Sequence, residues 1–170
     1  MPRFNTRQSA CERASQYANW LVTSPSPSGG ASSGDRNPGV PAVVVVIAGV
    51  NDIYQGRSAA SVEQQLEQMY DAARAHGIAV VAGTIVPYNT ATADQNARMR
   101  AVNDWIRAYA ERQASVVFCD TRAAVAAPGA PDRLASSPDD LHPSPDGYRL
   151  MAHALEPAIE RALTQATRLG

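Results

Sequence analysis

From Ala42 onward, apolar and polar positions fall into blocks with two different periods. Val43 to Ile47 is apolar at every position. That pattern fits a strand buried on both faces, as in a parallel sheet flanked by helices. Ile53 to Arg57 reads as a loop. Ser61 then reads as a helix N-cap, with Gln64 completing a capping box. Val62, Leu66, Met69, Tyr70 and Ala73 make one apolar helical face, and Gly77 supplies the stop. Ile78 to Ile85 is a second strand, ended by Pro87. Tyr88 to Ala93 is a polar loop. The spacing predicts a helix from about Asp94 to Ala114, burying Met99, Val102, Ile106, Tyr109 and Ala110, with Trp105 at the border. Val116 to Cys119 is a third strand, closed by Asp120 and Thr121. Ala126 to Pro138 reads as a loop rich in Ala, Pro and Ser. A final helix is expected from Ser144 or Asp146 to Thr167, burying Tyr148, Met151, Leu155, Ile159 and Leu163, with Pro157 as a candidate kink. Strands alternating with helices predict an α/β fold with a parallel sheet and right-handed crossovers.

Residues 1–41 break this regularity. Ser9 to Val22 has helical spacing, but Ser24 to Gly39 is a run of Ser, Pro and Gly that reads as a mobile linker. The chain therefore divides into a linker-like N-terminal segment, 1–41, and an α/β domain, 42–170.

Composition narrows the function classes. The 170 residues, 45% apolar and 18% charged, suit one globular domain. A net charge of −1 gives no electrostatic basis for nucleic-acid binding. Every basic residue is Arg, and the arginines are spread along the chain. No apolar run approaches the length of a membrane span. Met1 to Trp20 lacks the apolar core of a signal peptide. Cys11 and Cys119 lie far apart and form no metal motif; they read as two free thiols, with a disulfide between them as the alternative. No metal or cofactor is expected.

Candidate chemistry sits where strands end. Gly49, Asn51 and Asp52 follow the first strand, at the edge where open α/β sheets bind ligands, though Asn-Asp after a strand is also ordinary turn chemistry. Asp139 lies three residues before His142. A turn of that length can fold a carboxylate onto imidazole Nδ1 and leave Nε2 free as a base. Spacing alone equally allows a surface histidine near a helix start. His76 is better placed as a last-turn residue at the negative end of its helix dipole. His153 falls inside the last helix, in a structural or exposed position.

Ala48-Gly49-Val50-Asn51-Asp52 resembles the Gly-x-Asn-Asp block of the SGNH (GDSL) hydrolase superfamily. Asp139-Asp140-Leu141-His142-Pro143 and the following Gly147-Tyr148 resemble its C-terminal Asp-x-x-His-Pro block. Thr84-Ile85-Val86-Pro87 is similar to the strand end before that family's specificity loop. The resemblance covers about residues 42–165. It implies a flavodoxin-like three-layer α/β/α sandwich and hydrolysis of a small-molecule ester through an acyl-enzyme. By the same resemblance, His142 is the general base, Asp139 its orienting carboxylate with Asp140 as runner-up, and Asn51 and Gly49 the oxyanion donors.

One departure is plain. The family's first strand ends in Gly-Asp-Ser, and that tripeptide does not occur here; Gly34-Asp35 is followed by Arg36. The first strand is therefore expected to be missing or remodelled. The nucleophile candidates are Ser9 and, more weakly, Ser28, Ser32 and Ser33. Two readings follow: an esterase of this type, or a non-catalytic domain of the same fold. A strand edge left open by a missing first strand would favour a homodimer.

Overall fold

The structure, a computed structural model, describes residues 41–169. The expected N-terminal helix and linker, Cys11 and the candidate nucleophiles Ser9, Ser28, Ser32 and Ser33 lie outside them.

Three parallel strands, β1 (Val43–Val46), β2 (Ala79–Gly83) and β3 (Val116–Cys119), form a sheet in the order β1-β2-β3. Val43 pairs with Ala79, and Val80 with Val116. Every residue of β2 is buried, as befits a central strand apolar at each position. β1 is less covered: only Val46 is buried, and β2 is its sole strand partner among the described residues.

Two layers of helix cover the sheet. On one face lie α2 (Ala59–Ala75) and α3 (Ala93–Glu111), preceded by the short α1 (Val50–Tyr54). Leu66, Tyr70, Met99, Val102 and Ile106 pack there against Val46, Val80, Ala82 and Val116. On the other face α5 (Pro145–Leu169) packs Ala158, Ala162 and Ala166 against Ala79, Val81, Val117 and Cys119. The result is a three-layer α/β/α sandwich with a parallel sheet. Between β3 and α5 run α4 (Thr121–Val125) and a small antiparallel hairpin, β4 (Ala126–Ala127) with β5 (Ala130–Leu134).

Several local expectations are corrected. α2 begins a turn early: Ser58, not Ser61, is the N-cap, and its hydroxyl accepts from Ser61 N–H at 3.2 Å. Ile53 and Tyr54 belong to α1 and not to a loop. α3 starts at a capping box made by Thr92 and Gln95, which satisfies two donors reciprocally. The segment expected as a loop from Ala126 holds the hairpin, turned by Gly129 at φ 74°. The face of α5 differs most. Its fully buried stripe is alanine, because small side chains let the helix lie close on the sheet; Met151 is buried, but Tyr148 in the first turn is 51% exposed.

Parallel strands share one carboxyl edge. The segments leaving β1, β2 and β3 therefore emerge together and build the candidate site.

Candidate active site

The segment after β1 turns sharply at Gly49. Its φ of 111° is one that side-chain-bearing residues rarely adopt, and a Cβ there would stand 2.7 Å from Val62 Cγ1 and 2.9 Å from Ile85 Cδ1. Only glycine fits both demands. Gly49 is the N-cap of α1, and Asn51 follows in its first turn with an exposed side chain. Asp52 pairs with Arg57 at 3.1 Å, which holds the far end of this short helix.

The segment after β2 is fixed by buried polar groups. Asn103, on the apolar face of α3, accepts from Ile85 N–H at 2.7 Å and donates to Ile85 O at 3.0 Å. Thr121 Oγ1 donates to Thr84 O at 2.5 Å, and Thr84 Oγ1 accepts from Arg122 N–H at 2.8 Å. Arg122, a residue 8% exposed, reaches Asp132 with its guanidinium at 2.8 Å. Burial lowers the proton affinity of Arg122, while Asp132, paired first with Arg100 and then with Arg122, is held below the usual carboxylate range. These side chains satisfy a strand end that would otherwise bury unpaired backbone groups.

The turn before α5 carries Asp139 and His142. Asp139 Oδ2 lies 2.7 Å from His142 Nδ1. Its Oδ1 accepts from the backbone N–H of Leu141 at 3.0 Å and of His142 at 2.7 Å. The His142 contact, reinforced by these two backbone donors, holds the Asp139 carboxyl well below the usual carboxylate range. Ser137 Oγ donates to His142 O at 2.7 Å, closing the turn from the other side. Asp140, the runner-up, faces away. Its carboxylate accepts from Asn89 Nδ2 at 2.9 Å, so it does not compete for the imidazole.

Asn89 also ties this turn to the segment after β2, and the neighbouring Tyr88 ring meets Tyr54 of α1 edge-on at 5.9 Å. The elements bearing Asn51, Asn89 and His142 are thus linked at one sheet edge. His76, at the C-cap of α2, and His153, within α5, stand apart from this cluster. No serine hydroxyl among the described residues hydrogen-bonds His142 Nε2. A carboxylate fixed on Nδ1 leaves Nε2 as the proton acceptor of the pair, which is the arrangement a general base requires.

Sequence reasoning missed Asn89, Asn103 and Arg122. Asn103 had left a signal, a polar residue on the buried stripe between Val102 and Ile106. Asn89 and Arg122 left none, because their partners are remote in sequence.

A three-layer α/β protein with a His-Asp pair at the carboxyl edge of its sheet defines a class. Residues 12–150 match the GDSL-like lipase/acylhydrolase family, and the chain belongs to that family, in agreement with the SGNH blocks. None of the curated proteins compared with the chain matches it. Among solved structures, a GDSL-like lipase from Bacteroides thetaiotaomicron superposes with a TM-score of 0.65 at 24% identity, over 72% of this chain and 63% of its own. A carbohydrate esterase family 3 protein from Talaromyces cellulolyticus gives 0.58 at 25%, over 73% and 59%. A mutant acetyl esterase with acetate ion gives 0.58 at 27%, over 73% and 59%. The chain thus spans about three-fifths of the length of these structures. Among the described residues no helix is long and apolar enough to cross a membrane.

Proposed function

We propose that the chain hydrolyses carboxylic esters with small acyl or aryl groups, including acylated sugars or lipids, through an acyl-enzyme. The observation that carries this reading is the 2.7 Å contact of Asp139 with His142 Nδ1. Family membership and the names of the structural neighbours, a lipase and two esterases, support the reaction class.

In this reading a serine Oγ attacks the ester carbonyl while its proton passes to His142 Nε2. The tetrahedral oxyanion is met by the Asn51 side-chain N–H and the Gly49 backbone N–H. The C–O bond to the leaving alcohol breaks, and His142 returns the proton to that oxygen. Water then repeats the sequence, releasing the acid and freeing the serine. Asp139, held ionised, stabilises the imidazolium formed in each half. Ser9 is the first candidate nucleophile, before Ser28, Ser32 and Ser33. The test is labelling with a fluorophosphonate and location of the adduct by mass spectrometry. One serine within residues 1–40, modified in the native chain and not in His142→Ala, is the expected result. A native chain left unmodified is a non-catalytic member of the same fold.

We also propose that the outer edge of β1, four valines with free hydrogen-bonding capacity among the described residues, pairs two copies of the chain. Light scattering showing a monomer at high concentration would contradict it.

A further inference from the structure

Asn89 commits its backbone N–H and its whole side-chain amide to two distant segments. The N–H donates to Asp140 O at 2.7 Å, and Nδ2 donates to Asp140 Oδ1 at 2.9 Å. Oδ1 accepts from the N–H of Leu134, at the end of β5, at 2.8 Å. Asp140 is the one non-glycine residue of the described chain with positive φ, at 61°. That conformation is costly for residues with a Cβ, and aspartate tolerates it chiefly when its side chain is hydrogen-bonded. It is also the conformation that brings Leu141 N–H and His142 N–H back onto Asp139 Oδ1.

The base that Asn89 stands on is rigid. Tyr88 beside it is 1% exposed, and Ile85 is clamped by Asn103 on both of its backbone groups. A firmly held amide therefore grips the most strained residue of the turn that carries the His-Asp pair.

We infer that Asn89 is a positioning residue for Asp139 and His142. It stabilises the left-handed Asp140, so that the Asp139 carboxylate stays on Nδ1. Through Tyr88 it also sets the turn against α1, the helix bearing Asn51. It acts through Asp140 and touches no reacting atom. The inference rests on the reading of His142 as the base.

The test uses the full chain labelled with ¹⁵N-histidine, reading the downfield His142 Nδ1–H resonance together with kcat and KM on nitrophenyl acetate. Asn89→Asp keeps the acceptor for Leu134 N–H, removes the donor to Asp140 and sets two carboxylates face to face. The resonance should vanish and kcat should fall by about 10–10²-fold with KM nearly unchanged, the size of loss expected for a small misplacement of a catalytic group. The pair Asn89→Asp with Asp140→Asn reverses donor and acceptor and should restore both readouts. A wild-type resonance in Asn89→Asp, or no recovery in the reversed pair, overturns the inference. Should Asn89→Asp fail to fold, Asp140→Ala removes the acceptor while keeping a Cβ in the left-handed region, and a resonance retained there overturns it equally. If the native chain hydrolyses nothing, the functional reading falls, while the resonance still decides the role of Asn89.

Discussion

Asp139 holds His142 at two points: Oδ2 lies 2.7 Å from the ring Nδ1, and Oδ1 accepts the residue's own backbone N–H at 2.7 Å. Ring orientation and main-chain position are thereby set by one carboxylate. Depressed proton affinity follows from the same contacts, led by the imidazole. Asp139 thus remains charged throughout the range in which a histidine exchanges its proton.

This has a consequence for stability against pH. A carboxyl group whose folded-state value lies below its unfolded value stabilises the fold above the unfolded value. That contribution fades as pH falls through the folded one. Asp139→Asn should therefore melt below the native chain at pH 5–7, and the gap should close below about pH 4, where carboxylates of the unfolded chain take up protons. Thermal melts of the two proteins across that range check it. A gap that widens on acidification contradicts the assignment of Asp139.

In the proposed mechanism, Asn51→Ala removes a donor to charge that develops only during reaction. The expected loss is about 10²–10³-fold in kcat with little change in KM. Steady-state kinetics on a nitrophenyl ester read both. A rise in KM at constant kcat would place Asn51 in ground-state binding instead.

Gly49→Ala tests the turn that presents α1. The new Cβ would meet Val62 Cγ1 at 2.7 Å and Ile85 Cδ1 at 2.9 Å, in a backbone with φ 111°. Overpacking of this kind costs about 1–3 kcal/mol, with backbone strain in addition. Urea denaturation should show a lower midpoint at unchanged slope.

Asn103→Ala leaves the N–H and C=O of Ile85 without their partner inside the core. Each orphaned group costs about 1–3 kcal/mol. The same urea titration measures it, and a loss below that range would mean that water replaces the amide.

Those two residues also mark what could be read from the sequence. The parallel α/β architecture was legible because the Val43 and Ile78 runs and the helical stripes of Leu66 and Ile106 repeat with distinct periods. The Gly49, Asn51, Asp139 and His142 blocks were legible because they are local. Capping was half legible: Ser58 and Ser61 are both good caps, and the choice between them depends on where the chain leaves Arg57. The hairpin at Gly129 was hidden because β4 is two residues long and carries no alternating pattern. The face of α5 was not legible because side-chain size points to Tyr148, Leu155 and Leu163, whereas close packing on the sheet selects Ala158, Ala162 and Ala166. The clamp of Asn89 on Asp140 joins residues 51 apart, and no periodicity reports such a contact.

In the proposed mechanism His142 takes a nucleophile's proton as the acyl-enzyme forms. Pre-steady-state hydrolysis of nitrophenyl acetate tests it most directly. The native chain should release a stoichiometric burst of nitrophenol before steady turnover. In His142→Ala the burst should disappear, and turnover should fall by about 10²–10⁴-fold, the usual contribution of a positioned base. Turnover unchanged in His142→Ala, with no burst in either protein, would show adventitious ester cleavage and contradict the claim.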